Sequence, residues 1–239
     1  MDDYFVFNGR STREFCMAVE SHPNQNAPKR RRTSITIPGR NGELHYDEDT
    51  FENIDVSYSV WFRGVLPTPE QAHAVKSWLL SAKGYQRLED KYDPTHYRLA
   101  SFAGPLNVSN ILGRYGKCKI TFDCDPRCFL KDGEFPVNFE FPGKIYNPTE
   151  FAAKPMLRVY GSAPGTVTVA GVTIDIQSIT TGIELDCENE HAYALGDVGQ
   201  NLNDTIYAPQ FPVLKPGENR VIFDGGITAV EVVPRWWEL

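Results

Sequence analysis

Three cysteines lie close enough in the sequence to raise the question of a metal site: Cys118, Cys124 and Cys128. A structural zinc ion usually takes four ligands from paired close spacings, and no fourth cysteine or histidine lies near these three. Cys118 and Cys124 also fall in an alternating strand pattern, where small buried residues are typical. We therefore predict no metal ion and no cofactor.

The other chemically competent residues form no recognisable catalytic arrangement. The five histidines are far apart, and none lies in a metalloprotease or hydrolase motif. Glycoside hydrolysis requires two opposed carboxylates, and three acidic pairs could be considered for it: Glu89 and Asp90, Glu184 and Asp186, and Glu188 and Glu190. Solvation is the more common reason for such pairs. The sequence thus predicts no catalytic residues and no enzymatic activity.

A basic run stands out in the polar segment from His22 to Thr33, which we predict to be a loop: Lys29, Arg30, Arg31 and Arg32. Such a run can be a solvated loop that opposes aggregation. It can also contact an anionic surface, either nucleic acid or an acidic neighbouring subunit. Without interleaved aromatic residues, the run does not indicate a sequence-specific reader of nucleic acid.

Two adjacent tryptophans, Trp236 and Trp237, could form a platform on which a sugar stacks. They continue an alternation that includes Val230, Val232 and Pro234. This alternation predicts that one of the two rings fills a β-sandwich core.

These residues need a scaffold, and its one convincing helix is the stretch from Leu66 to Gly84. Thr68 is a suitable N-cap, Pro69 suits the first helical position, and Gly84 suits the end. Apolar residues recur at three- and four-residue spacing, namely Ala72, Val75, Leu79 and Ala82, with Trp78 beside them. A helix with one apolar face must lie on a sheet.

Strand patterns dominate the rest of the first half. Residues 53–63 alternate, with Ile54, Val56, Tyr58, Val60 and Phe62 on one face. Further strands are predicted at residues 4–8, 15–20, 85–90, 97–102 and 117–123, the last of them ended by Pro126. The first half is therefore predicted to be a β-sandwich or a strongly curved sheet that carries one helix.

An extended arm is predicted between the strands at residues 15–20 and 53–63. Residues 34–37 read as extended chain, and the Pro-Gly and Asn-Gly dipeptides of residues 38–42 are strong turn signals. A β-hairpin is the expected form. Since a hairpin has little core of its own, we expect the arm from Ile35 to Leu44 to pack on a neighbouring copy.

The second half differs in charge. Residues 1–133 carry 18 Lys and Arg against 17 Asp and Glu, whereas residues 134–239 carry 6 against 14. This step predicts two domains, 1–133 and 134–239, joined near a short junction at residues 141–148. Turns at Pro164-Gly165, Ala170-Gly171, Pro216-Gly217 and Gly225-Gly226 separate six predicted strands, 156–160, 165–169, 172–176, 183–187, 220–223 and 227–233. This spacing is typical of an all-β sandwich or jelly roll.

Composition and cysteine content indicate the cellular compartment in which the chain is made. A charged fraction of 23% and a hydrophobic fraction of 41% are ordinary for a soluble globular protein. No apolar run approaches a membrane span, and the acidic start lacks the features of a signal peptide. Five scattered cysteines are an odd number and favour cytoplasmic thiols over disulfides. We expect synthesis in a cytoplasm and no membrane partner.

Several stretches taken together resemble the distal tail protein family, the hub at the tail tip of phages with long non-contractile tails. In the first half these are FVFNGRST, ITIPGRNGEL, GYQRLEDKYDPTHYRLASFAGPL and GRYGKCKITFDCDPRCFL. In the second half they are KPMLRVYGSAPGTVTVAG, IELDCE, FPVLKPGENRVIF and VEVVPRWWEL. The resemblance covers nearly the whole chain.

The resemblance implies a mainly β chain with one helix. A tail-tube-like N-terminal domain with a hairpin would form the ring, and a galectin-like C-terminal β-sandwich would project from it. In the family, six copies form a ring in the virion that joins the tail tube protein to the tail-associated hub protein and often to receptor-binding proteins. DNA passes through its lumen.

For this chain, the resemblance and the hairpin signal together predict an interface between copies at Ile35, Ile37, Pro38, Gly39, Arg40 and Leu44. Lys29 and Arg30 to Arg32 are then expected at a neighbouring subunit or at the lumen. No catalytic residue is implied, and the chain is too short for the carbohydrate-binding insertions of some relatives. A lectin-like adhesin that uses Trp236 or Trp237 remains an alternative, and a cell-wall hydrolase is a third.

Overall fold

A computed structural model describes the chain over residues 3–21, 23, 26–62, 68–111 and 115–239. It forms two compact units, Met1–Cys128 and Phe129–Glu238. The division falls five residues before the boundary predicted from the charge step. Both units consist mainly of β-strands, as the sequence predicted.

The first unit contains one α-helix among its described residues, α1 (Thr68–Ser81), and a short 3-10 helix at Thr12–Phe15. Its strands are β1 (Phe5–Phe7), β2 (Arg10–Ser11), β3 (Met17–Val19), β4 (Arg30–Thr36), β5 (Glu43–Phe51), β6 (Ile54–Phe62), β7 (Gln86–Asp90), β8 (His96–Ser101), β9 (Val108–Ile111) and β10 (Tyr115–Leu130), of which the last two residues enter the second unit.

One continuous sheet has the order β2-β1-β7-β8-β10-β6-β3, with β9 also paired to β10. Side chains from near both ends of this order, Phe5 of β1 and Met17 of β3, belong to the same buried cluster. The sheet is therefore strongly curved, which is one of the two forms that the sequence left open. Strand β6 has the alternating burial that its sequence predicted, with Tyr58, Val60 and Phe62 buried.

Helix α1 covers this curved sheet with the face that was predicted. Val75, Trp78 and Leu79 are buried, and the Trp78 indole N–H donates to the Phe7 carbonyl at 3.2 Å. The helix ends at Ser81, three residues before the predicted stop at Gly84. The side chain of Thr68 and all of residues 63–67 lie outside the described part, so the predicted N-cap stays a prediction. No helix in the described ranges is long and apolar enough to cross a membrane.

Two strand predictions in this unit are wrong in their limits. A strand does not begin at Phe15, because Ser11 and Glu14 form a capping box that starts the 3-10 helix. Pro126 does not end β10, which continues to Leu130. The last residue of β10 that pairs with β6 is Cys124, so the missing N–H of Pro126 costs no hydrogen bond to that neighbour.

The second unit contains short 3-10 helices at Lys131–Glu134 and Asn203–Thr205. Its strands are β11 (Val137–Phe139), β12 (Gly143–Asn147), β13 (Met156–Val169), β14 (Val172–Ile176), β15 (Gly182–Asp186), β16 (His191–Ala194), β17 (Asp197–Asn201), β18 (Ile206–Tyr207), β19 (Gly217–Val233) and β20 (Trp237–Glu238). The segment predicted as a junction, residues 141–148, contains β12, and that prediction is wrong.

Two long strands, β13 and β19, run through both layers of this unit. The first part of β13 pairs with β15, and its last part pairs with β14. Strand β19 pairs with β12 near its start and with β11 near its end. The inward side chains of both parts share one core, which includes Leu157, Val167, Ile174 and Leu185. The sandwich is thus one sheet folded over itself.

Glycines occupy the place where β13 and β19 bend. The pairing of these strands shifts register between Tyr160 and Gly165. A β-carbon on Gly165 would lie 2.3 Å from the Asp224 carbonyl oxygen, and one on Gly226 would lie 2.3 Å from the Ala163 carbonyl oxygen. The close backbones leave no room for a side chain. The turns predicted at Pro164-Gly165 and Gly225-Gly226 are therefore wrong, since both pairs lie inside bulged strands.

The turn predicted at Ala170-Gly171 is confirmed. It joins β13 to β14 with Val169 paired to Val172. Both turn residues have positive φ, 51° at Ala170 and 84° at Gly171. Positive φ at both central residues is the signature of a type I′ hairpin turn.

The corner glycines yield a stability prediction. Gly165→Ala should lower the free energy of unfolding by about 1 to 3 kcal/mol, because the new methyl group must push two paired backbones apart. The control is Gly199→Ala in exposed β17, where the new atom would meet only the tip of the Asp197 side chain at 3.1 Å. This control should change stability by less than about 0.5 kcal/mol. Urea unfolding followed by circular dichroism measures both, and equal effects would contradict the corner assignment.

Candidate interaction surface

The most exposed part of the first unit is the hairpin of β4 and β5, which we call the arm (residues 30–51). Its two strands pair only with each other among the described residues. Every side chain of β4 is exposed, and so is every side chain of β5 except Phe51. The predicted hairpin is confirmed and is longer than residues 35–44. The basic residues Arg30 to Arg32, predicted in a loop, lie instead in β4, and that prediction is wrong.

The tip of the arm has a defined turn. The Arg40 amide donates to the Ile37 carbonyl at 3.1 Å, and Gly39 has a φ of 81°. Proline at the second position and a positive-φ glycine at the third are typical of a type II turn. The tip therefore presents Ile37, Pro38 and Arg40 at the end of the hairpin.

One face of the arm is apolar. The strand register places Thr33 opposite Tyr46 and Ile35 opposite Leu44, and such directly paired residues share a face. The exposed fractions are 48% for Ile35, 46% for Leu44 and 67% for Tyr46. Nothing in the described chain covers these side chains. Tyr46 belongs to this face, although it is not among the predicted interface residues.

The opposite face is polar. Arg32 faces Asp47, Ser34 faces His45, and Thr36 faces Glu43. The Ser34 hydroxyl and the His45 imidazole are joined by a hydrogen bond of 2.9 Å. The arm is therefore an amphipathic two-stranded sheet, because apolar and polar side chains alternate along each strand and point to opposite faces.

The four basic residues predicted as one cluster separate into two groups. The Lys29 ammonium lies 3.3 Å from the Glu52 carboxylate, and the Arg30 guanidinium lies 3.4 Å from that of Asp47. These exposed pairs contribute little stability, but they neutralise both cations within the chain. Arg31 and Arg32 have no ion-pair partner in the part of the chain that the structure describes. The register places Arg32 on the polar face, whereas Arg31 lies at a register shift between Arg30 and Arg32.

The cysteines that suggested a metal site are core residues. Cys118, Cys124 and Cys187 are buried free thiols, and burial raises the pKa of each to about 12. Cys128 is also buried, whereas Cys16 is exposed. Protonated buried thiols are poor nucleophiles and poor metal ligands. Within the described ranges, no group of three His, Cys, Asp or Glu side chains could hold a metal ion.

Two acidic residues interpreted as solvated are in fact buried, and that interpretation is wrong for them. The Glu184 carboxylate binds Arg158 at 2.8 Å, and the Asp186 carboxylate binds Arg235 at 2.7 Å. Burial opposes ionisation of Asp186, but hydrogen bonds from Arg235 and Asn189 outweigh it and keep its pKa below the usual value. These carboxylates form structural ion pairs within the second unit.

The two adjacent tryptophans do not form a joint platform. Trp236 is only 6% exposed and belongs to the core of the second unit, which confirms the prediction that one of them fills this core. The Trp237 ring stacks on Phe151 with centroids 4.5 Å apart. Its indole N–H donates to the Ala152 carbonyl at 2.9 Å.

Two curved all-β units, a helix over the first sheet and a projecting arm define a class of two-domain β protein. The same fold occurs in the crystal structure of the SPP1 Dit (gp 19.1) protein, which its description calls a paradigm of the hub adsorption apparatus in phages that infect Gram-positive bacteria. The match covers 100% of both chains with a TM-score of 0.77 and 12% sequence identity. The chain therefore has a Dit-like fold, as the sequence resemblance predicted. No protein-family model and no curated protein matches the sequence.

The thiol environments predict a simple reactivity pattern. At pH 8 the native protein should react rapidly with 5,5′-dithiobis(2-nitrobenzoic acid) at Cys16 alone, and at all five cysteines once it is unfolded. Rapid native reaction of a second thiol would contradict this account.

The buried thiols also predict a pH dependence of stability. The free energy of unfolding should fall as the pH rises from about 9 to about 12, because the thiols of the unfolded chain ionise before those of the folded chain.

Proposed function

We propose that the chain is a structural component of a phage tail hub. Two observations support this proposal. The sequence resembles the distal tail proteins along nearly its whole length, and the fold matches that of a phage hub protein from end to end. The proposed role requires self-assembly and shape, and it assigns no catalytic step to any residue.

The observation that carries the assembly mechanism is the uncovered apolar face of the arm. A two-stranded hairpin without a covered face is marginally stable in water. Burying an aliphatic or aromatic side chain contributes about 1.5 to 3 kcal/mol. The described chain leaves Ile35, Leu44 and Tyr46 without cover, so a neighbouring copy that covers them would supply this energy. The arm thus has a physical reason to pack on a neighbouring copy.

A head-to-tail contact between copies closes into a ring if the rotation permits it, and each copy must then present two different surfaces. We propose that the arm is one of these surfaces and that six copies close the ring. In the virion, this ring would sit at the distal end of the tail. It would join the tail tube protein to the tail-associated hub protein and hold receptor-binding proteins.

The proposed lumen would let DNA pass during ejection. Of the four basic residues near the root of the arm, Arg31 and Arg32 are those without an acidic partner in the described chain. Either of them could meet a neighbouring subunit or contact phosphates of the passing DNA, which would be an electrostatic and sequence-independent contact. Sugar binding by a tryptophan pair is not part of the proposal, since Trp236 is buried.

The two faces of the arm provide a matched test. Ile35→Asp places a charge in the apolar face, and Ser34→Asp places the same charge on the adjacent polar face. Because the first change removes a buried contact and buries a charge, it should raise the concentration for half-assembly by at least about tenfold. The second change should raise it by less than about threefold. Light scattering after size exclusion measures assembly, and electron microscopy counts the copies in each ring.

Both variants should keep the unfolding transition of the unchanged chain, because neither side chain touches a core. Equal assembly of the Ile35→Asp and unchanged chains would remove the arm from the mechanism. A chain that stays monomeric at all concentrations would contradict the ring itself.

A further inference from the structure

A cleft of about 320 Å³ opens at one end of the curved sheet in the first unit. Its floor is apolar, formed by Ile54, Val56 and Leu88. Its lining also includes aromatic rings and two carboxylates, Asp90 and Asp93. A concave site with an apolar floor and a few polar groups is the usual form of a binding site.

The two carboxylates of this cleft differ in availability. Asp90 accepts the Tyr58 hydroxyl at 2.8 Å and the Tyr92 and Asp93 amides at 2.9 Å, so it is committed to the fold. Asp93 is 43% exposed at its side chain. Its Oδ1 atom meets His96 at 2.7 Å and Thr95 at 3.0 Å, whereas no described residue donates to its Oδ2 atom. Asp93 thus has an oxygen available for an external cation.

The cleft lies beside the root of the arm. It is lined by the first residue of β6, the last of β7 and the first of β8, which meet at one end of the antiparallel sheet. The arm departs from this same end, because β5 stops at Phe51 and β6 starts at Ile54. The seven residues of β4 span about 24 Å at roughly 3.4 Å per residue. The tip of an extended arm is therefore well away from the cleft of its own chain.

The tip carries chemistry that complements the cleft. Ile37 and Pro38 offer apolar surface, and the Arg40 guanidinium has no ion-pair partner among the described residues. An arginine beside a carboxylate and aromatic rings gains both a charge-assisted hydrogen bond and cation–π attraction. Arg98 also lines the cleft, but it donates to the Pro126 carbonyl at 3.5 Å. The cleft lining contains two carboxylates against this one guanidinium.

We propose that the cleft of one copy receives the arm tip of the next copy, with Arg40 bound to Asp93 and with Ile37 and Pro38 against the apolar floor. This proposal rests on the proposed ring and supplies its second surface. Each copy would give its arm at one contact and receive its neighbour's arm at the other. The contact is heterologous, as a closed ring requires.

A charge exchange tests the pairing. Arg40→Glu and Asp93→Arg should each raise the concentration for half-assembly by at least about tenfold, because each places two like charges together. The combined variant restores an opposite pair and should return to within about threefold of the unchanged chain. Arg220→Glu and Asp175→Arg make the same charge changes on exposed strands of the second unit and should leave assembly unchanged.

Thermal unfolding shows whether Asp93→Arg still folds, since that residue also holds His96. If it does not, Asp93→Asn removes the charge while retaining an oxygen for His96, and it should weaken assembly in the same direction. Rings that form equally well in both single variants would overturn the cleft contact while leaving the ring intact. An unchanged chain that forms no ring would overturn the proposed function first.

Discussion

The apolar face of the arm is the feature on which the proposed assembly depends, because the described part of one copy does not cover it. Its strands form a regular hairpin with a defined tip, but the apolar side chains of Ile35, Leu44 and Tyr46 face solvent. Within a globular domain, such a face would be covered by a second layer. The two cores of the chain already have their layers. In the proposed ring, the uncovered arm supplies the reason to associate.

In the second unit, the close approach of two strand backbones is the constraint on which the fold depends. Strands β13 and β19 serve both layers only because they bend together, and the bend brings Gly165 and Gly226 against opposing carbonyl groups. The pairing of β13 with β19 shifts register at this bend and then continues into the second layer. Ion pairs of the buried Glu184 and Asp186 then tie neighbouring elements together. The acidic character of this unit is thus partly structural.

Hydrophobic periodicity predicted its strand and helix well, whereas the Gly and Pro dipeptides were ambiguous signals. The alternation of β6 and the apolar stripe of α1 each follow from side-chain direction, which local sequence determines. Gly225-Gly226 and Pro164-Gly165 carry the same signal for a turn and for a bulge, and only long-range pairing separates the two. Likewise, Glu184 looks solvated until Arg158 is placed beside it by the fold. The sequence does contain a signal for the apolar face of the arm, because Leu44 and Tyr46 alternate with polar neighbours.

The charges of the arm bear on the symmetry of its contacts. Strand β4 begins with three arginines, while β5 contains Asp47, Glu48 and Asp49 on the opposite side of the hairpin. A two-fold antiparallel contact between two β4 edges with its axis at Arg31 would bring like charges together, which is destabilising. A contact between the β4 edge of one arm and the β5 edge of another would bring unlike charges together. This charge distribution is compatible with the proposed ring, which is built from head-to-tail contacts.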